Sequence, residues 1–437
     1  MIEQTKIRGF SQLETDEKRK IIAQACFNNQ HEADYFNEFT LNDKALQETF
    51  EQFSENTLTN HHLPFGVIPN VRIDDRIYHV PAVIEESSVI AAAAKAASFW
   101  FDRGGFKTID ERFVKNGQVY FSWNNTDKWL ETNKNKLFSY LKNATSHLTE
   151  SMEKRGGGIT GFDIKKLTDN NLDAYKLTVY FNTADSMGAN FINTVLEEIA
   201  NALPLFAEQH NMNEPEIIMA ILSNYTPENS VTLELSCPVE ELTWNSTLPP
   251  KQFAEKFVKA MQIAQNDVSR AVTHNKGIMN GTDAVVLATG NDYRATEAAV
   301  HAFASEGGQY SSLSKAEISD GIFRMQLKLP MALGTVGGLT KIHPTASLAL
   351  KMLNNPTAPE LMKIAAAAGL ANNFAAVAAL VSTGIQHGHM KLHLNNILMS
   401  ENATQEQRRL AKKWFANRTV SVQAVRAFLQ NHNEMAQ

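Results

Sequence analysis

Cysteine is nearly absent. Cys26 and Cys237 are the only two in 437 residues, which excludes a disulfide framework or a cysteine-based zinc module and fits a reducing compartment. Glycine and proline are sparse, 22 and 13, together about 8% of the chain, which excludes collagen-like and linker-dominated architectures. Positive charge is not in excess: 41 Lys and Arg stand against 47 Asp and Glu, a net charge of −6. That argues against a dedicated nucleic-acid surface, while a local basic patch for a phosphorylated small molecule stays open. The opening MIEQTKIRGFSQLETDEKRK has no apolar core, so no signal peptide is expected. One uncharged stretch, Ile364 to Ile385, has the length of a membrane span. It is mostly alanine, with Asn372, Asn373 and Ser382, and such residues insert poorly. A tightly packed, buried helix is expected there, in a soluble cytoplasmic protein without a membrane partner.

What is present is an ordinary globular composition, 43% hydrophobic, with a length that suggests two or three domains. The first ~50 residues read as helices. Asn70 to Val83 reads as a hairpin around Asp74-Asp75, followed by an alanine-rich helix from near Ser87. The texture changes at about residue 113. QVYFSW (118–123) and Tyr175 to Thr183 suit strands; 127–155 and Met187 to Ala202 suit helices. This block, 113–222, reads as a small α+β domain inserted into a larger one (1–112 and 223–378). Strands return from Ile217, then a helix from Lys251 to Ala271, then AVVLAT (284–289) as a short strand before Gly290-Asn291-Asp292 and another helix. The segment 379–437 reads as helical and more charged.

Each motif has a plain alternative. Gly156, Gly158 and Gly161 spell GxGxxG, but a polar helix precedes them and a strand follows, the reverse of a dinucleotide-binding turn; a helix-to-strand turn is expected. Asp185-Ser186-Met187-Gly188-Ala189-Asn190 lies at a strand-to-helix junction. Asp185 is placed to cap that helix, and small residues in its first turn would let a ligand approach exposed N–H groups. Glu85-Glu86 before the alanine-rich helix, and Asp292 at the start of another, are either caps or site carboxylates. Lys276 in THNKGIMNG, six residues after Arg270, reads as a loop lysine, either solvated or held in place. His387, His389 and His393 lack the Glu or Cys of a metal motif; one acid–base histidine fits better than a metal site. Arg408, Arg409, Lys412 and Lys413 form a basic helical face.

Taken in order, the segments Glu55-Asn56 before LPFGV, VPAVIEESSVIAAA, DSMGAN, RAVTHNKGIMNG, ATGNDYRA, GTVGGLTKIHP and GIQHGHMKLH resemble the soluble class II (bacterial) hydroxymethylglutaryl-coenzyme A (HMG-CoA) reductases. The resemblance implies a large, mostly helical substrate domain. It also implies an inserted small α+β cofactor domain of non-Rossmann type and a mobile helical C-terminal flap. It implies reduction of HMG-CoA to mevalonate and free coenzyme A with two NAD(P)H, no metal, and a homodimer with sites at its interface. By the same resemblance Glu86 is the catalytic acid, Lys276 the cation at the carbonyl oxygen, Asp292 the link between them, and His389 the flap residue. Ser88, Asn224, Arg270 and Asn280 match substrate-binding positions; Asp185, Met187, Gly188, Ala189 and Asn190 match the cofactor site. Two segments depart from the family pattern: ENTLTN stands where ENVIG is usual, and EESS where EEPS is usual.

The chemistry suits these residues. Each hydride addition puts negative charge on a carbonyl oxygen, where a fixed ammonium stabilises it. The alcohol formed needs a proton, and the leaving thiolate must be protonated on a site closed to water. A lysine Schiff-base aldolase is the main alternative, set apart by borohydride trapping of Lys276; a non-catalytic nucleotide sensor is another. Mevalonate synthesis is favoured over its breakdown. Thr149, seven residues before Gly156, is not acidic, and Lys154 and Arg155 stand nearby, so NADPH is expected over NADH, with Glu150 the residue that opposes it.

Overall fold

The structure, a computed structural model, describes residues 6–27, 32–168, 172–244, 248–382, 394–416, 418 and 420–434. The chain forms two compact units, Met1–Pro64 and Phe65–Gln437. The first holds helices α1 (Thr15–Phe27), α2 (Ala33–Asn37) and α3 (Lys44–Glu51). Its organiser is Arg19, only 7% exposed. The guanidinium reaches Asp16, Asn37 and Glu51, and Nε donates to the Leu58 carbonyl at 2.6 Å, so four hydrogen bonds from one side chain tie the three helices together.

The second unit opens with the expected hairpin, β1 (Phe65–Ile73) and β2 (Arg76–Val83). Asp74 and Asp75 both take positive φ, 46° and 71°, as a two-residue hairpin turn requires. Helix α4 (Val89–Phe101) follows. Strands β3 (Lys107–Phe113) and β4 (Lys115–Ser122) are consecutive, yet they enter different sheets. The chain passes at Val114 into a sheet ordered β5-β6-β4-β7, with β5 Gly158–Leu167, β6 Ala174–Asn182 and β7 Glu216–Leu222. It returns after β7 to a sheet ordered β3-β8-β10-β9, with β8 Asn229–Pro238, β9 Ser314–Ser319 and β10 Ile322–Pro330.

Every pairing in the inserted sheet is antiparallel, so it has no Rossmann switch point. Helices α5 (Asp127–Ala144), α6 (Ser146–Glu153) and α7 (Ala189–Gln209) accompany it. Phe121, Leu177, Val179, Phe181, Leu196 and Phe206 form its own core. Gly156 and Gly158 turn from α6 into β5 with φ of 82° and 113°, the expected helix-to-strand turn.

The larger core is built on α8 (Pro250–Asn266), α9 (Val268–Ala288), α10 (Tyr293–Phe303), α11 (Leu339–Ile342), α12 (Pro344–Met352) and α13 (Ala358–Val381). Helix α13 takes in the alanine-rich stretch from Ile364 as far as Val381. Of the described helices it alone has the length and apolarity to cross a membrane, and 78% of that window is buried. It packs against α9, α4 and α8. Its Asn372 and Asn373 turn to α9, donating to the Gly277 carbonyl at 2.9 Å and meeting His274 at 3.2 Å, which satisfies polar groups that a membrane would leave unpaired. AVVLAT is not a strand: Ala284, Val285, Val286 and Ala288 are the buried last turns of α9. A short, uniformly buried apolar run carries no periodicity to separate the two forms. The expected helix to Ala271 also divides, because Asp267 caps α9 by accepting from Arg270 N at 2.6 Å.

Helices α9 and α13 meet backbone to backbone. A Cβ at Gly281 would stand 2.3 Å from the Ala368 carbonyl oxygen. Gly281→Ala gains up to ~1 kcal/mol of helix propensity but overpacks a backbone contact, at about 1–3 kcal/mol. Overpacking dominates, so denaturant unfolding is expected to show a net loss of stability; an unchanged midpoint would refute the tight crossing. At the C-terminal end, a helix at 394–400 and helices Gln405–Trp414 and Val422–Glu434 enclose a small core of Leu398, Ala411, Phe415, Val425 and Phe428.

Candidate active site

Helix α9 carries the central residue of one cluster. Lys276 Nζ donates to Glu86 Oε2 at 2.6 Å, across 190 positions of sequence. Lys276 therefore sits on a helix, not in a loop. The glycines and asparagines around it disfavour helix locally, but the helix is held from beneath. His274 meets Ser314 Oγ at 2.7 Å. Asn275 donates to the Ser311 carbonyl and accepts from Leu313 N. Burial and nearby Arg270 push His274 down to about 3, so it is a neutral part of the core. The HNKG segment is thus split: His274 and Asn275 point inward, and Lys276 faces solvent with its side chain 59% exposed.

Asn280 lies one turn beyond Lys276 on the same helix face. Glu86 ends the passage from β2, and Ser88, at the N-cap of α4, takes a φ of 78°, a left-handed conformation uncommon for serine. Arg270 sits in the first turn of α9, its guanidinium pushed down by burial. Asn224 is exposed in the connection from β7 to β8.

A second set of residues lines a cleft of about 630 Å³. It gathers Met187, Gly188, Ala189 and Asn190 with Asp292 and the glycines of GTVGGL. Gly188 is the N-cap of α7 at φ 87°. Asp185 does not cap this helix. Its Oδ1 accepts from Ala358 N at 2.8 Å, the first residue of α13. The sequence places Asp185 near α7, but the fold brings a second helix start closer. Asp292 caps α10, accepting from Ala295 N at 3.0 Å. Its neighbour Asn291 accepts from Gly334 N at 2.8 Å, and a Cβ at Gly334 would stand 2.4 Å from Met187 N. Neither Asn291 nor Gly334 was legible as a site residue, since only the fold brings them beside the loop.

Within one chain Asp292 does not join the Lys276–Glu86 pair. Lys276 and Ala288 are twelve residues apart on the continuous α9, about 18 Å of helix at 1.5 Å per residue. Asp292 lies beyond that end, with the DSMGAN residues. His387, His389 and His393 lie outside the described residues. A smaller cleft of about 290 Å³ adjoins the same loop and is lined by Lys115, Arg155 and Asp185. Glu150 is paired with Lys154 at 2.6 Å.

The fold is α+β without a Rossmann sheet, and it carries an ammonium–carboxyl pair and, apart from it, a glycine-lined cleft at a helix start, an arrangement suited to reduction of a carbonyl group. Comparison with known proteins is specific. The family model for hydroxymethylglutaryl-coenzyme A reductase matches residues 14–394. The 3-hydroxy-3-methylglutaryl-coenzyme A reductase of Archaeoglobus fulgidus is 33% identical over 92% of this chain and 89% of its own length. A probable reductase of the same name from Borreliella burgdorferi is 33% identical over 83% of this chain and 82% of its own. Among solved structures, the class II enzyme of Streptococcus pneumoniae bound to NADPH, in open conformations, matches with a TM-score of 0.72 and 33% identity. It covers 86% of this chain and all of that one. This chain belongs to the hydroxymethylglutaryl-coenzyme A reductase family.

Proposed function

We propose that this protein reduces HMG-CoA to mevalonate and free coenzyme A with two NADPH, as a cytoplasmic homodimer in the biosynthetic direction. The observation that carries this is the Lys276–Glu86 pair at 2.6 Å. A lysine ammonium so placed is the electrostatic partner for a carbonyl oxygen gaining charge, and a carboxyl beside it is the proton donor for the alcohol. Asn280 and Ser88 supply hydrogen bonds next to that pair, and Arg270 and Asn224 serve substrate more peripherally. In this scheme 113–222 is the cofactor domain, 1–112 with 223–378 the substrate domain, and 379–437 the flap from which His389 protonates the leaving thiolate.

The cofactor fits the cleft. Its volume, its small first-turn residues Gly188 and Ala189, and the glycines at 334, 337 and 338 leave room for a nucleotide against a helix N-terminus. When bound, it supplies the hydrides; Met187, Gly188, Ala189 and Asn190 hold it, and Asp185 shapes their loop from the side of α13. Arg155 and the buried Lys115 are the cationic residues that line the smaller cleft, and of these the Lys115 ammonium is taken up by the loop 183–187, while the carboxylate of Glu150 is engaged by Lys154. That arrangement supports NADPH over NADH.

The test mixes protein, HMG-CoA and reduced cofactor and follows nicotinamide absorbance and thiol release. Two cofactors consumed per thiol are expected, with kcat/KM for NADPH above that for NADH. Arg155→Ala is expected to lower that ratio about tenfold or more, since a lost charge-assisted bond is worth ~1.5–3 kcal/mol. Consumption of one cofactor per thiol, or none, refutes the reduction; a ratio unmoved by Arg155→Ala refutes that residue's part.

A further inference from the structure

The loop 182–188 is the wall between two clefts: Asn182 to Asp185 line the smaller, Ser186 to Phe191 the larger. Its backbone is strained at Ala184, a non-glycine residue at φ 47°, and such a conformation persists only where surroundings impose it. On one side the restraints come from the larger core. Asp185 holds Ala358 N, Thr335 N donates to the Asp185 carbonyl at 2.9 Å, and the backbone of Gly334 presses on Met187 N. On the other side Gly158 of β5 pairs with Asn182, and Lys115, the first residue of β4, reaches the loop with its side chain.

Lys115 is 5% exposed. Its ammonium donates to Thr183 Oγ1 at 2.6 Å, to the Ser186 carbonyl at 2.8 Å and to the Met187 carbonyl at 3.0 Å. These three acceptors use all three ammonium donors, and every one belongs to the loop. Burial pushes the amine down to about 7, with Asp185 acting in the opposite sense. Burying an ammonium is unfavourable unless its bonds do something an apolar side chain cannot. Here they fix the direction of two consecutive carbonyls immediately before α7.

We propose that Lys115 is a positioning residue for the nicotinamide cofactor: it tethers the Ser186 and Met187 carbonyls and so aims the unsatisfied N–H groups of the first turn of α7 into the larger cleft. This rests on the assignment of residues 187–190 to the cofactor. The first N–H groups of a helix have no intrahelical acceptor, so their direction decides how well they receive a phosphate or amide oxygen. Lys115 touches neither substrate nor cofactor in this scheme.

The test uses the full-length enzyme and steady-state kinetics with NADPH and HMG-CoA varied separately. Lys115→Met is expected to raise KM for NADPH about tenfold or more, the scale of losing bonds to a charged group. KM for HMG-CoA and kcat at saturating NADPH stay within about twofold, because the Lys276–Glu86 pair is elsewhere. Lys115→Ala opens a space onto the smaller cleft. Added propylammonium is expected to recover part of the NADPH affinity in that variant, and propanol is not. A wild-type KM for NADPH in Lys115→Met overturns the proposal. So does an equal loss in all parameters, or an Ala variant that the amine leaves unchanged. Ala189→Leu, read by NADPH fluorescence titration, separates the two levels. Binding abolished by Ala189→Leu but unaffected by Lys115→Met removes only the role of Lys115. Binding indifferent to both removes the cofactor assignment and the proposal with it.

Discussion

Lys276→Ala is expected to lower kcat for HMG-CoA by 10²–10³-fold or more, the range seen when one preorganised charge-stabilising donor is removed. The same variant is expected to lose reduction of free mevaldehyde to a similar degree. Both steps place negative charge on a carbonyl oxygen, so both need the ammonium, and a residue serving thiol release alone would spare the second. The fold is expected to survive. The Lys276 side chain is 59% exposed, and its neighbours His274 and Asn275, not Lys276, hold α9 to the strands and α13. An exposed ion pair contributes on the order of 0–1 kcal/mol to stability, so thermal unfolding should move little. The informative comparison is Lys276→Arg. The charge is kept, but a guanidinium is broader and differently hydrated, so position as well as charge is tested, and partial activity is expected. Wild-type-like turnover in Lys276→Ala, on either substrate, would sink the assignment.

How much of this was legible in the sequence differs from residue to residue. The hairpin at Asp74-Asp75, the inserted α+β block and the buried alanine-rich helix all carry local signals: turn residues, alternation, and apolar residues with polar punctuation. Glu86 and Lys276 were named from the segments around them, yet Lys276 was expected in a loop. The low helix propensity of Asn and Gly is real; contacts from Ser311, Leu313 and Ser314 override it. Asp185 was expected to cap α7 because spacing shows only the nearest helix start. The start of α13 is 173 positions away in sequence and adjacent in space. Lys115 gave no signal, because a lysine in a strand reads as solvated until burial shows otherwise. His389, the flap residue by resemblance, lies outside the described residues, so its part is argued from the family pattern alone.

The separation of Asp292 from Lys276 leads to the second large effect. If Asp292 links Lys276 and Glu86, about 18 Å of α9 prevents it from doing so within its own chain. A second copy must then bring its Asp292 to the first copy's pair, and by two-fold symmetry the first returns the contact. Lys276→Ala and Asp292→Ala are each expected to be nearly inactive alone. Refolded or coexpressed together at equal amounts, they assort into dimers of which about half are mixed. In a mixed dimer one site carries both substitutions and the other carries neither. About a quarter of wild-type activity is therefore expected from two nearly dead proteins. Lys276→Ala mixed with Glu86→Gln is the control. Those two residues pair within one chain at 2.6 Å, so every site in every assortment lacks one of them and no activity returns. Recovery in neither mixture would place the action of Asp292 on the same chain as Lys276 and break the interface argument; recovery in the control would show that Lys276 and Glu86 of one chain do not form the working pair. Recovery in the test pair alone has no explanation in a monomer, because there each chain keeps its own defect.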